Sequence, residues 1–370
     1  MKPAAHTRPT APEALPLEGL PGRLALLCAA AMLGIAGCRS QANSQASGQN
    51  RRVLVIANRR APHSERLARL YMQSRKIPSD RLLLLSCPAD ERVSADVYTA
   101  QIEQPVRRAL LSLPDADGID YLTPVRGVPF ITGNASMSVD SLLAVHAWKD
   151  VKPALPNPYF QSPKPFRSVD HQGLRLVCRL DGPSPSEVET LIMRSLQASR
   201  PPNPVVVLDS SSRTEAGYKA LDASLVAAAR LLRRKGIRVV TDTPNTFVGG
   251  QSNLIGYWSW GSNDRAYTLE AYRSNRFLPG AIAETGVSTS ARTMQPVTSG
   301  QSVISDLLTA GVTGVKGYVS EPYTYALCPA DILFDAYTAG RNLADSYYTA
   351  SPVLAWKDLV IGDPFCAPFA

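Results

Sequence analysis

No stretch of this sequence spells GxSxG, HExxH, a P-loop or GxGxxG, so the commonest signatures of serine hydrolysis, zinc proteolysis and nucleotide binding are missing. Histidine is scarce, at four residues. Past the leader these are His63, which follows Pro62 in a loop, His146 in an expected helix, and His171 in a polar stretch. None follows an expected strand, where a base would meet a cysteine nucleophile, so each reads as structural or surface. Cys87, Cys178, Cys328 and Cys366 lie far apart without a CxxC, which argues against zinc and leaves three full disulfide pairings or buried thiols open. Past residue 50 no apolar run is long enough to cross a bilayer. The net charge is +8, but Arg51-Arg52, Arg107-Arg108 and Arg233-Arg234-Lys235 form no stripe and interleave with no aromatics. That pattern is a solvated surface, and no nucleic-acid partner is expected. Internal repeats and heptads are also absent.

What is present begins with an export segment. Lys2, Arg8 and Arg23 lead into LALLCAAAMLGIA at 24–36, an apolar run of signal-peptide length. It ends in Ile35-Ala36-Gly37-Cys38, small residues before a cysteine, and so resembles the lipobox of bacterial lipoproteins. That resemblance implies a signal peptide over 1–37, lipid on Cys38 and a membrane partner through that anchor. The alternative is an ordinary secretory signal with an incidental Cys38. Arg39 follows where an inner-membrane retention signal would place Asp, which favours the outer membrane or its periplasmic face. Residues 39–50 (RSQANSQASGQN) are polar and aperiodic and read as a flexible tether.

From 51 to 370 the chain alternates buried-looking strands with amphipathic helices. Strands are expected at 52–57, 81–86, 119–125, 174–180, 205–210, 237–242, 254–260 and 312–320. Helices are expected at 64–76, from about 94 to 113, at 183–199 with Ser186 as N-cap, at 214–234 and at 301–310, with a helix-rich C-terminus. Continuous apolar strands separated by helices make a largely parallel sheet covered on both faces, an α/β layered fold. The proline-rich insertion at 151–166 forbids regular helix, and two fused α/β halves would meet near 151–172.

In such sheets ligands bind beyond the carboxyl ends of the strands. The tips nominated on that rule as ligand-binding are Arg126, Asp181, Asp209, Trp260, Ser262 and Asn263, with Asp264 and Glu321 as candidate catalytic carboxylates. Each of these residue types also ends strands simply because it suits turns and caps. Trp258 and Trp260 share one strand face, which stacks a sugar or covers a core; core packing suits Trp258 better. If the strands carrying Trp260 and Glu321 are neighbours, Asp264 and Glu321 pair for acid–base chemistry or a hard divalent cation. No other cofactor is expected.

VLVIAN with RLARLYMQSRKIP, TPVRGVPF, RLDGPS, GYWSWGSND, GVKGYVSEPY and the closing WKDLVIGDPFCAPF span nearly all of 52–369. Through them the chain resembles a family of secreted bacterial proteins from genomes with exosortase-type sorting systems. The α/β order and the closing Gly362-Asp363-Pro364 also resemble gingipain- and caspase-like cysteine peptidases. In those enzymes a His-Gly ends one strand and a Cys the next. Here the matching tips read as Trp260-Gly261 and Ser320-Glu321, so the dyad is absent and a Cys–His mechanism is disfavoured. The expectation is an envelope lipoprotein that binds an envelope polysaccharide or a protein partner in exosortase or exopolysaccharide systems. The alternatives are a carboxylate-dependent hydrolase acting on envelope polymer or peptide and a purely structural envelope module.

Overall fold

Short apolar runs become the strands of two sheets, most of them buried. The computed structural model describes residues 48–370 apart from 212 and 243–245. The expected signal peptide, Cys38 and tether positions 39–47 lie outside the described residues. In the first sheet β1 (Val53–Asn58), β2 (Leu82–Leu85), β3 (Tyr121–Pro124) and β4 (Leu176–Val177) are all parallel, in the order β2-β1-β3-β4. The second holds β5 (Val205–Leu208), β6 (Arg238–Thr241), β7 (Leu254–Ser259), β8 (Phe277–Thr285), β9 (Gly314–Tyr318) and β10 (Asp358–Ile361), in the order β6-β5-β7-β8-β9-β10. Its first five strands are parallel and β10 is antiparallel to β9. The α/β fold with helix-flanked parallel sheets is as expected from the sequence.

Two strands depart from the expectation. β8 lies in FLPGAIAET, for which no strand is expected: Pro279 and Gly280 interrupt its apolar run and Glu284 adds a charge. β10 sits in the C-terminal region expected to be helical. The cap of the helix after β4 also differs. Ser184 accepts from the Glu187 N–H at 3.2 Å in place of Ser186, because Pro185 occupies the first helical position, where no N–H is needed.

The sheets join at Arg179, which bridges in parallel to Ile361. Its N–H donates to Val360 O at 2.8 Å and its carbonyl accepts from Gly362 N at 2.9 Å. Because β10 runs antiparallel to β9 yet parallel to the Arg179 segment, the first sheet runs against the parallel strands of the second. The carboxyl tips of the two halves therefore open on opposite edges of the joined sheet.

Helices α1 (Ser64–Arg75), α2 (Val139–Ala144), α3 (Pro185–Gln197), α4 (Ala216–Arg234), α5 (Ile304–Ala310), α6 (Ala330–Thr338) and α7 (Leu343–Ala350) cover the sheets. Phe334 of α6 packs so closely on β7 that a Cβ on Gly256 would lie 2.6 Å from its ring. The proline-rich insertion pairs Leu155–Pro156 antiparallel with Val353–Leu354, and Asn157 donates to the Tyr348 and Ser351 carbonyls, both at 2.8 Å. Cys87, Cys178, Cys328 and Cys366 are free and buried, so none of the three disulfide pairings forms. Among the described residues no helix is long and apolar enough to cross a membrane.

Candidate functional site

At the tips of the first sheet, one buried amide organises three strand ends. Asn58, at the end of β1, donates through Nδ2 to Cys87 O and Pro88 O, both at 3.1 Å, and to Gly127 O at 2.8 Å. Its Oδ1 accepts from the Arg60 N–H at 3.1 Å. Gly127 has φ +92°, and a Cβ there would fall 2.3 Å from that of Ala61, so only glycine lets the β3 tip lie this close to the β1 tip.

Beyond these ends Arg126 and Asp181 meet. Arg126 Nη1 donates to Gly182 O and lies 3.3 Å from Asp181 Oδ1. Asp181 Oδ2 accepts from Arg179 Nη1 at 3.3 Å, and Arg179 forks onto Asp140 at 2.9 and 2.6 Å. Burial raises the Asp181 pKa, against the opposing pull of Arg179 and Arg126.

A cavity of about 230 Å³ opens above this cluster, lined by His63, Asp90, Glu91, Arg126, Phe130 and Asp181 among others. Glu91 accepts from the Met294 N–H of the loop after β8 at 2.9 Å, which closes one wall. Sequence reasoning missed His63, Asp90 and Glu91. His63 was set aside as loop surface, yet it stands at φ 67° immediately before α1, a left-handed geometry uncommon for a residue with a Cβ. Asp90 and Glu91 sit five and six residues past β2, on a turn that Asn58 positions.

The second set of tips is built differently. In register, Leu208 faces Trp258 and Trp258 faces Glu284, so Asp209, just past β5, follows side by side with Ser259 and Thr285 at the ends of β7 and β8. All three are fully buried. Ser259 Oγ donates to Asp209 Oδ2 at 2.7 Å and accepts from the Gly261 N–H at 2.9 Å. Burial, with Asp242 and Asp264 nearby, pushes the Asp209 carboxyl up to about 8.

Both tryptophans are core residues. Trp258 and Trp260 are 0 % and 1 % exposed, so of the two readings open for this face, sugar stacking or core packing, both side chains take the second. Trp260 Nε1 donates to Asp222 at 2.8 Å, and its ring stacks on Tyr218 with centroids 4.3 Å apart. Ser262 and Ser302 exchange backbone-to-hydroxyl bonds at 3.1 and 3.0 Å. Asn263 donates to Gly286 O at 2.6 Å, and Asp264 accepts from the Ala266 N–H at 2.6 Å while burial raises its pKa.

The neighbour relation expected between the Trp260 and Glu321 strands does not hold. β8 lies between β7 and β9, and Glu321 is exposed and accepts from the Tyr323 N–H at 3.0 Å. Nor do the nominated residues share one cleft: Arg126 and Asp181 stand at one edge of the sheet, and Asp209 and Trp260 through Asp264 at the other. Among the described residues no group of three or more His, Cys, Asp or Glu could hold a metal ion.

Scanned against known protein families and curated proteins, the sequence matches none. Among solved structures it is similar to the complex of Porphyromonas gingivalis RgpB pro- and mature domains. The TM-score is 0.50 at 10 % identity, over 85 % of this chain and 79 % of that one. Likeness at that identity concerns the fold alone, which is the caspase-like α/β fold of a gingipain. The sheet order corrects the expected tip correspondence. The strand next to β7 is β8, which ends at Thr285, so Ser320-Glu321 is not the tip beside Trp260-Gly261.

Proposed function

We propose that the protein is a lipid-anchored binding protein of the bacterial envelope, with its ligand seat in the cleft of the first sheet. The observation that carries this reading is the convergence of four strand ends on one cavity, held in shape by Asn58 and by the Arg179–Asp140–Asp181 cluster. Such preorganised polar groups around a partly apolar hollow are how small-ligand sites are built. Two segments that carry the resemblance to exosortase-associated proteins, TPVRGVPF and RLDGPS, contribute to its walls, which supports reading the role as one in exosortase or exopolysaccharide systems. The alternative of a carboxylate-dependent hydrolase is weaker, because Asp264 is buried and Glu321 is exposed two strands away.

The binding reading is checked by thermal shift of purified protein against amino acids, diamines, dicarboxylates and neutral oligosaccharides. At least one class is expected to stabilise the parent, with affinity shifted at least tenfold in Arg126→Ala. That variant is expected to stay folded, since Asp181 keeps Arg179. Ligands that bind both proteins equally would place the seat elsewhere. The anchor has its own test: globomycin is expected to make the uncleaved precursor accumulate in expressing cells. Unaltered maturation of Cys38→Ala would count against lipid on Cys38.

A further inference from the structure

Resting on the proposed binding role of this cleft, we infer that its ligand carries a primary ammonium group on an aliphatic arm. The inner charges cancel: Arg126 and Arg179 face Asp140 and Asp181 within one hydrogen-bonded cluster. What remains at the mouth is acidic. Asp90 is exposed, and its carboxylate holds no partner among the described residues, nor does the His63 imidazole. Glu91 gives one oxygen to the Met294 N–H and keeps the other. An acidic mouth on a chain of net charge +8 is a local reversal of sign, and it selects cations against the field of the whole molecule.

The rest of the lining decides between cations and other ligands. Ala61, Pro62 and Pro185 give aliphatic and ring surface along the walls, suited to methylene groups. An anion would meet a guanidinium already engaged by Gly182 O and Asp181, and would have to pass Asp90 and Glu91. A sugar would find no open aromatic face, because Phe130 is 2 % exposed and the Arg179 guanidinium lies 5.4 Å from its ring centroid. At about 230 Å³ the cavity falls below the roughly 300–1,000 Å³ of drug-sized sites, so it admits a single arm. A free diamine and a lysine side chain in a peptide share this chemistry.

The test titrates the whole folded chain with 1,5-diaminopentane, with Nα-acetyl-lysine amide, and with glutarate and Nα-acetyl-norleucine amide as charge-reversed and neutral counterparts. One or both amines are expected to bind, with affinity falling as salt rises. Asp90→Asn with Glu91→Gln is expected to weaken them at least tenfold, while Glu321→Gln at the other edge leaves them unchanged. Binding of the diamine alone identifies a free polyamine-like ligand, and binding of the lysine amide alone a peptide arm; either outcome supports the inference. Glutarate or the norleucine amide binding as tightly, or amine binding indifferent to the double variant, overturns it. Should amines fail while another class binds in an Arg126-dependent way, the ammonium assignment falls and the cleft stands. If no ligand responds to Arg126→Ala, the cleft reading itself is lost.

Discussion

Arg179→Ala is expected to cost the folded state about 3–5 kcal/mol, the range for breaking a buried ion pair by removing one partner. The side chain is fully buried, and it makes five hydrogen bonds to two carboxylates and two carbonyls. Removing it strands Asp140, which is 1 % exposed and has no other ion pair among the described residues, and leaves Asp181 with Arg126 alone. The Val128 and Pro129 carbonyls lose their donors as well. The position also joins the two sheets through its backbone, so the damage falls on the seam between the halves. Thermal unfolding should register a midpoint roughly 10 °C lower. Arg179→Lys should recover little, because a point-like ammonium cannot fork onto both Asp140 oxygens while reaching two carbonyls. Adding Asp140→Asn to Arg179→Met should restore part of the loss, since the stranded charge goes with it. A midpoint for Arg179→Ala within about 2 °C of the parent, well under one such pair, would remove the cluster from the fold's main supports.

The same residue shows where sequence reading stops. RLDGPS looks like a strand tip, and both Arg126 and Asp181 were legible as tip residues because each follows an apolar run directly. That Arg179 would bridge to Ile361, and so reverse the second half against the first, depends on a contact 182 residues away that no local pattern encodes. The reversal separates Arg126 and Asp181 from Asp209 and the Trp260–Asp264 loop, residues that the strand-tip rule alone treats as equivalent. β8 was lost for a local reason. Pro279 and Gly280, the latter at φ +89°, interrupt its apolar pattern, and its later half carries the charge of the buried Glu284. Missing one central strand shifted the neighbour of β7 by one place, and the expected Asp264–Glu321 pair followed from that shift. His63, Asp90 and Glu91 were illegible because they reach the cavity through turns whose course is set by Asn58, a side chain that sequence alone nominates only as a strand end.

Stability is expected to fall as pH rises from about 5 to about 9, and Asp209→Asn is expected to remove most of that fall. Asp209 is fully buried one residue past β5, and burial is the main reason its carboxyl is pushed up to about 8, with Asp242 and Asp264 adding like charge. In the unfolded chain an aspartate titrates near ~3.9. Below that value the group is neutral in both states and contributes nothing. Between it and about 8 the folded state keeps a proton the unfolded state has released, so each pH unit favours unfolding by up to about 1.4 kcal/mol. The full penalty stands above the folded value. With relaxation around the site, the expected loss is on the order of 3 kcal/mol across the window. Glu284, pushed up to about 7 mainly by burial, adds a loss that is complete sooner. His146, pushed down to about 4 by burial, acts oppositely, eroding stability as pH falls below its ordinary value. Comparing variant and parent at each pH cancels both of these. Asparagine imitates the protonated carboxyl and keeps an oxygen for the Ser259 hydroxyl, so near pH 4, at about the unfolded value, the two proteins should unfold at similar denaturant concentrations. Near pH 9 the variant should be the more stable by most of the Asp209 share, read as a higher urea midpoint with an unchanged m-value. A variant that tracks its parent across this range, or a parent that gains stability toward pH 9, would mean that Asp209 ionises in the folded state at little cost, against its burial beneath the Trp260 loop.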